Sequence, residues 1–289
     1  MLHLLNSRFL AIDDSTLNVF IDAYLAGREL PKREIQKMPT EFVAATMTNT
    51  LSARELGYMG VSTAEATDGL IAVVTVRGAS YYYTDEYNYG TEDMIQQIQL
   101  ADGNAQVKAI VLKVDSQGGE LNGSQEFAEA IAACQKPIAG FGRGIVASAA
   151  YWGFSQCDEC YIQDSLTSVG SIGTMGIYRD RSEQLAKDGL KYVILRSEGS
   201  PEKNPLNGYE SFAGEYQQKA LNRDQLILTE SRQIFLNQVR AKRPRVSASI
   251  GGEIFYGKEA IAQGLVDNFM SFENVLKRAN VLGTLARKG

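Results

Sequence analysis

The sequence predicts an α/β protein built on a largely parallel sheet with flanking helices. Three observations carry this. Short apolar runs rich in β-branched residues recur from residue 69 onward. Stretches with apolar residues at helical spacing separate them. Strands that alternate with helices form crossover units, and such units pair their strands in parallel. The chain has 289 residues, of which 44% are hydrophobic and 22% charged. That is ordinary globular usage, which excludes a disordered or collagen-like chain.

Taken in order, residues 1–60 stand apart as a small helical extension. Leu17, Phe20, Ile21, Tyr24 and Leu25 recur at helical spacing. A second amphipathic stretch follows Pro31, and a third follows Pro39-Thr40 with Thr40 as its cap. A weak linker covers 60–68, and the main domain is expected over 69–289. Ile71–Val76 reads as a buried strand. A tyrosine-rich loop follows at 81–89, then a helix from Thr91 to about Ala101. Val107–Val114 is the next strand and ends in D-S-Q-G-G-E. A helix over Ser124–Ala133, a strand over Pro137–Phe141 and a helix start at A-S-A-A-Y-W come next. Strands are expected at Glu159–Ile162, Thr174–Tyr178 and Tyr192–Leu195, with a helix over Arg181–Lys187. A long helix spans about 209–241. The tail reads as a short helix (K-E-A-I-A-Q), a strand (L-V-D-N-F) and a last helix near 272–280.

Composition narrows the chemistry. Lys plus Arg total 29 and Asp plus Glu 34, giving a net charge of −5. Nucleic-acid binding, which needs clustered basic residues, is not expected. The single histidine is His3, so a Ser-His-Asp triad, a Cys-His pair and a multi-histidine metal site are nearly excluded within one chain. Cys134, Cys157 and Cys160 are too few, and odd in number, for a disulfide framework. The C-D-E-C pair is read as small buried residues beside a strand rather than half of a zinc or redox site. There is no Walker A motif and no G-x-G-x-x-G opening a helix after a strand, so no cofactor or metal is expected. No stretch approaches 18 uncharged apolar residues and no signal peptide is seen. A cytoplasmic protein without a membrane anchor is therefore expected.

Two glycine-rich features lie at strand ends, where open α/β sheets bind ligands. In G-R-G-I-V-A-S-A-A-Y-W, Ser148 follows a strand and starts a helix among small residues. A serine so placed suits nucleophilic attack, because first-turn amides favour negative charge. By itself it reads more readily as a helix cap than as a nucleophile. In D-S-Q-G-G-E, Gly118-Gly119 is able to turn sharply and bare its amides. A glycine amide there and that of Ala149 would form a two-donor oxyanion hole. With no histidine available, a lysine deprotonated by burial is the remaining strong base. Lys187 and Lys191 read as surface residues. Lys203, in the loop R-S-E-G-S-P-E-K-N-P, follows an expected strand end on the same rim.

Four blocks, in order, resemble the S49 family of serine peptidases, the signal peptide peptidase A family that also includes phage prohead proteases like lambda capsid protein C. They are I-A-V-V-T-V-R-G; D-S-Q-G-G; A-S-A-A-Y-W with C-D-E-C-Y-I and S-V-G-S-I-G-T-M-G-I; and G-K-E-A-I-A-Q-G-L-V-D. The resemblance covers about 69–282. Gln117 stands where the family has proline, and Gly199 lies four residues before Lys203 where the family shows three. The resemblance implies a ClpP/crotonase-like fold and a Ser-Lys dyad. It carries the nucleophile onto Ser148, the base onto Lys203 and the lysine-orienting hydroxyl onto Ser171. Gly119 or Gly118 and Ala149 supply the oxyanion amides. It also implies peptide or protein substrates and a homo-oligomeric ring or dome, with each dyad formed either within one chain or across neighbouring protomers. A chain without an anchor fits a phage head-maturation protease acting on capsid and scaffold proteins, or a soluble signal-peptide-peptidase-like enzyme. A catalytically inactive scaffold and a crotonase-type acyl-CoA enzyme remain as alternatives. Serine labelling excludes the first, and sensitivity to Ser148→Ala the second.

Overall fold

A computed structural model describes residues 10–12, 41–44, 69–84 and 90–286. Its strands are β1 (Leu10–Ile12), β2 (Glu41–Ala44), β3 (Leu70–Ser80), β4 (Val107–Glu120), β5 (Ile138–Ala147), β6 (Glu159–Ile162), β7 (Ser168–Gly170), β8 (Ile254–Tyr256) and β9 (Asn268–Phe269). Its helices are α1 (Thr91–Gly103), α2 (Ser124–Ala132), α3 (Ser148–Phe154), α4 (Ser182–Lys187), α5 (Glu215–Lys242), α6 (Gly257–Ala262) and α7 (Phe272–Ala286).

The sheet runs β2-β3-β4-β5-β6-β9, and the four neighbour pairs from β3 to β9 are parallel. The expected α/β architecture is therefore present. Its strands are apolar on both sides because both sides are covered. Along β3, Leu70, Ala72, Val74 and Val76 face one core, in which Ile98, Phe127, Trp152 and Phe235 pack. Ile71 and Val73 face the other, closed by Val275, Leu276 and Ala279 of α7. Such alternation follows from the two-residue period of a strand.

Three expectations need correction. Glu41–Ala44 pairs antiparallel with β3, so a strand replaces the helix expected after Thr40 over those residues. The remaining helices expected within 1–60 lie outside the described residues, as do residues 85–89 of the tyrosine-rich loop. The segments Thr174–Tyr178 and Tyr192–Leu195 are not strands. The strand of that region is β7 instead, which pairs parallel with β5 and antiparallel with β8. Finally, D-S-Q-G-G-E is the extended end of β4, which runs through Glu120 rather than turning at the glycines.

Candidate active site

β5 is the strand that organises the site. Its first half pairs with β4 from Ile110↔Ile138 to Val114↔Gly142. The register then shifts, and the next partner pair is Ser116↔Val146. Beyond it β5 pairs with β7, ending at Ala147↔Gly170. Ser148 and Ser171 are the residues that follow this last parallel pair, so the register sets them side by side. Both have φ of 55°, the left-handed region that L-residues avoid, and they share it with only Asn204 among the described non-glycine residues. Each chain is turned sharply where its strand ends.

Ser148 opens α3 and is 1% exposed, and Ala149 beside it is buried. Amides in the first turn of a helix have no intrahelical acceptor. Neither serine hydroxyl hydrogen-bonds to a described residue. Ser171 is held through its backbone, its amide donating to the Glu253 carbonyl at 2.8 Å. Gly170 is required there, because a Cβ on it would lie 2.5 Å from that same carbonyl oxygen.

β4 packs against α3, and its end is shaped by two glycines. Gly118 has φ of 94°, and its amide donates to Ser116 Oγ at 3.2 Å. Ser116 Oγ in turn donates to the Gly78 carbonyl at 2.5 Å. The Gly118 amide is thus engaged, and Gly119 pairs with Ser80 of β3 on one side and Ala11 of β1 on the other. A Cβ on Gly119 would come within 1.8 Å of the Ser80 carbonyl oxygen, so the β3–β4 approach admits only glycine.

α3 is fixed at its far end. The Tyr151 hydroxyl donates to the Leu265 carbonyl at 2.9 Å, and burial pushes its pKa well up. Trp152 stacks on Phe235 of α5 with ring centroids 4.5 Å apart. Arg243 donates to the carbonyls of Ser155 (3.3 Å) and Cys157 (2.6 Å), and pairs with Asp267 at 2.7 Å. Cys157 and Cys160 are buried, and burial raises the Cys157 thiol well above its ordinary value. This fits the reading of C-D-E-C as packing residues.

Lys203 is placed differently. Its loop is clamped by Arg196, whose Nε donates to the Lys203 carbonyl at 2.8 Å and whose guanidinium pairs with Glu210. The side chain itself is exposed, and no hydrogen bond or ion pair joins its ammonium to Ser148, Ser171 or another described residue. Since Tyr192–Leu195 is not a strand, the loop does not continue from a strand end as expected. Lys187 and Lys191 are exposed, as their sequence context suggested. One chain thus brings Ser148, Ala149 and Ser171 together at the end of the β5–β7 pairing, with α3 packed on β4, while Lys203 is exposed on its loop.

The sequence reading missed β1. This strand pairs antiparallel with the glycine end of β4, in the register Leu10↔Glu120, Ala11↔Gly119 and Ile12↔Gly118. Only the apolar character of F-L-A-I hinted at it. A partner more than a hundred residues away leaves no local signal.

The family model for Peptidase family S49 matches residues 130–286. Protease 4 of Salmonella typhi is 27% identical over 288 residues, covering 95% of this chain and 45% of that protein. Head-tail preconnector protein GP5 of Enterobacteria phage P21 is 24% identical over 274 residues, covering 93% of this chain and 48% of that protein. The chain spans less than half the length of these two relatives. Among solved structures, a ClpP1 mutant from Listeria monocytogenes matches with a TM-score of 0.44 and 15% identity, covering 71% of this chain and 94% of that one. No helix among the described residues is long and apolar enough to cross a membrane.

Proposed function

Because the chain belongs to peptidase family S49, we propose that it is a serine endopeptidase in which Ser148 is the nucleophile and a lysine the base. The observation that carries this is the β5–β7 register, which sets two serines with φ of 55° side by side. Lys203 takes the Ser148 proton, and Ser148 Oγ attacks the peptide carbonyl. The Gly119 and Ala149 amides receive the oxyanion of the tetrahedral intermediate. The lysinium protonates the leaving amine. Water then hydrolyses the acyl-enzyme with the lysine again as base. The Ser171 hydroxyl orients the lysine.

A lysine acts as a base only once it has given up its proton, which a desolvated pocket favours and open solvent does not. The lysine must therefore be desolvated, and assembly supplies the means. Val193 is 70% and Leu195 89% exposed, and Tyr192 is half exposed. An exposed apolar strip of this kind marks an interface. We assign it to contact between copies of this chain, with Lys203 of one protomer entering the Ser148 site of the next. Burial there lowers the cost of removing its proton. The substrates are peptides or proteins. The alignment with GP5 along nearly the whole chain supports a role in processing phage-head proteins.

Subunit complementation tests the arrangement. Ser148→Ala and Lys203→Ala should each be inactive as pure assemblies. Co-assembled, they form some sites with an intact serine and an intact lysine from different protomers, and partial activity returns. A mixed assembly as inert as its parents rules out the dyad across protomers.

A further inference from the structure

β4 is an interior strand as far as Val114, paired with β3 on one side and β5 on the other. After the register shift beyond Val114, β5 leaves it to join β7. Ala79↔Gly118 and Ser80↔Gly119 still hold β4 to β3 on the first side. The second edge of β4 at Gly118–Glu120 is thus opened by the departure of β5, and β4 packs against α3, the helix that Ser148 begins. An extended peptide laid on that edge would carry its carbonyls past the serine, as in strand addition generally.

The structure fills this edge with β1. Leu10–Ile12 pairs antiparallel with Gly118–Glu120, and the same strand approaches α3. We propose that Leu10–Ile12 is a built-in occupant of the substrate edge, an inhibitory strand that a peptide substrate must displace. This rests on the peptidase reading above and adds its regulation. A three-residue strand suits the role. It offers few backbone hydrogen bonds, so a longer substrate strand outcompetes it, whereas short peptides meet a closed edge. Apparent affinity for a short peptide falls with the fraction of molecules whose edge is open.

The register dictates the test. Residues directly opposite in an antiparallel pair have Cα atoms about 4.5–5.5 Å apart, within the range that a disulfide bridges. In the full-length assembly, Leu10→Cys with Glu120→Cys should therefore cross-link on mild oxidation, as read by intact mass and peptide mapping. The oxidised protein should lose hydrolysis of a short fluorogenic peptide, and reductant should restore it. In a second variant, Ala11→Pro removes a backbone donor from β1 and should raise kcat/KM for the same peptide several-fold, chiefly through KM. Failure to cross-link overturns the pairing and with it the proposal. Hydrolysis that is equal in the oxidised and reduced states overturns the inhibitory role while the peptidase reading stands. If neither state, nor the unmodified protein, cleaves peptides or accepts a serine-directed probe, the peptidase reading falls and takes the proposal with it.

Discussion

The left-handed backbone at Ser148 gives a prediction that is independent of activity. An L-residue in that conformation costs about 1–2 kcal/mol, and glycine does not bear this cost. Consider Ser148→Ala and Ser148→Gly, both without a hydroxyl. The change from alanine to glycine deletes one buried methyl, worth about 0.8 kcal/mol. It also frees the unfolded chain, at about 0.4–1 kcal/mol. Relief of the strained φ of 55° offsets these losses, so the two variants should melt within about 2 °C of each other. Ala150 is the control. It is equally buried two residues further into α3, in ordinary helical geometry. There Ala150→Gly carries the helix penalty of about 1 kcal/mol as well as the lost methyl, with no relief. At about 2–4 °C per kcal/mol for a domain of this size, its melting point should fall by about 4–8 °C. Thermal denaturation followed by circular dichroism measures all of these. An equal drop at both positions would refute the claim that Ser148 is held under strain.

Gly119→Ala should abolish peptide hydrolysis and lower the melting temperature together, since its Cβ meets the Ser80 carbonyl at 1.8 Å. A fully active variant would show that β3 and β4 do not approach so closely. Leu195→Glu should break the assembly, seen by sedimentation velocity as smaller species, and peptidase activity should disappear with it; an intact, active assembly would remove this strip from the interface. Glu159 accepts from Arg278 Nε at 2.8 Å, and this bond holds its carboxyl below the ordinary 4.5, against a smaller opposing effect of burial. A depressed carboxyl pKa means that the stabilisation is complete above the ordinary value and fades as pH falls through the lowered one. The melting-temperature gap between the native protein and Arg278→Ala should therefore be wide at pH 7 and narrow at pH 3, and a gap independent of pH would contradict the assignment.

The sheet was legible because runs such as I-A-V-V-T-V and V-K-A-I-V-L-K-V are apolar on both faces, which only a covered parallel sheet requires. The serine and glycine positions were legible for a different reason. Tight approaches such as Gly119 to Ser80 and Gly170 to Glu253 leave small residues as the only option, and these stand out in a sequence. What was not legible depends on distant partners. Tyr192–Leu195 has strand composition but pairs with no strand among the described residues, so propensity alone does not decide it. β7 is held between β5 and β8, the latter more than eighty residues later in the chain. β1 likewise depends on β4. The place of Lys203 was misjudged by the same error, since its loop was hung on a strand that does not form.

The most direct test of the account is the fate of the Ser148 hydroxyl. After exposure of the assembled protein to a fluorophosphonate, peptide mapping should find one adduct, on Ser148, forming faster as pH rises from 7 to 10 and absent from Ser148→Ala. A folded, oligomeric sample in which Ser148 stays unmodified across that range, or in which another serine carries the adduct, would contradict the claim that this residue is the nucleophile.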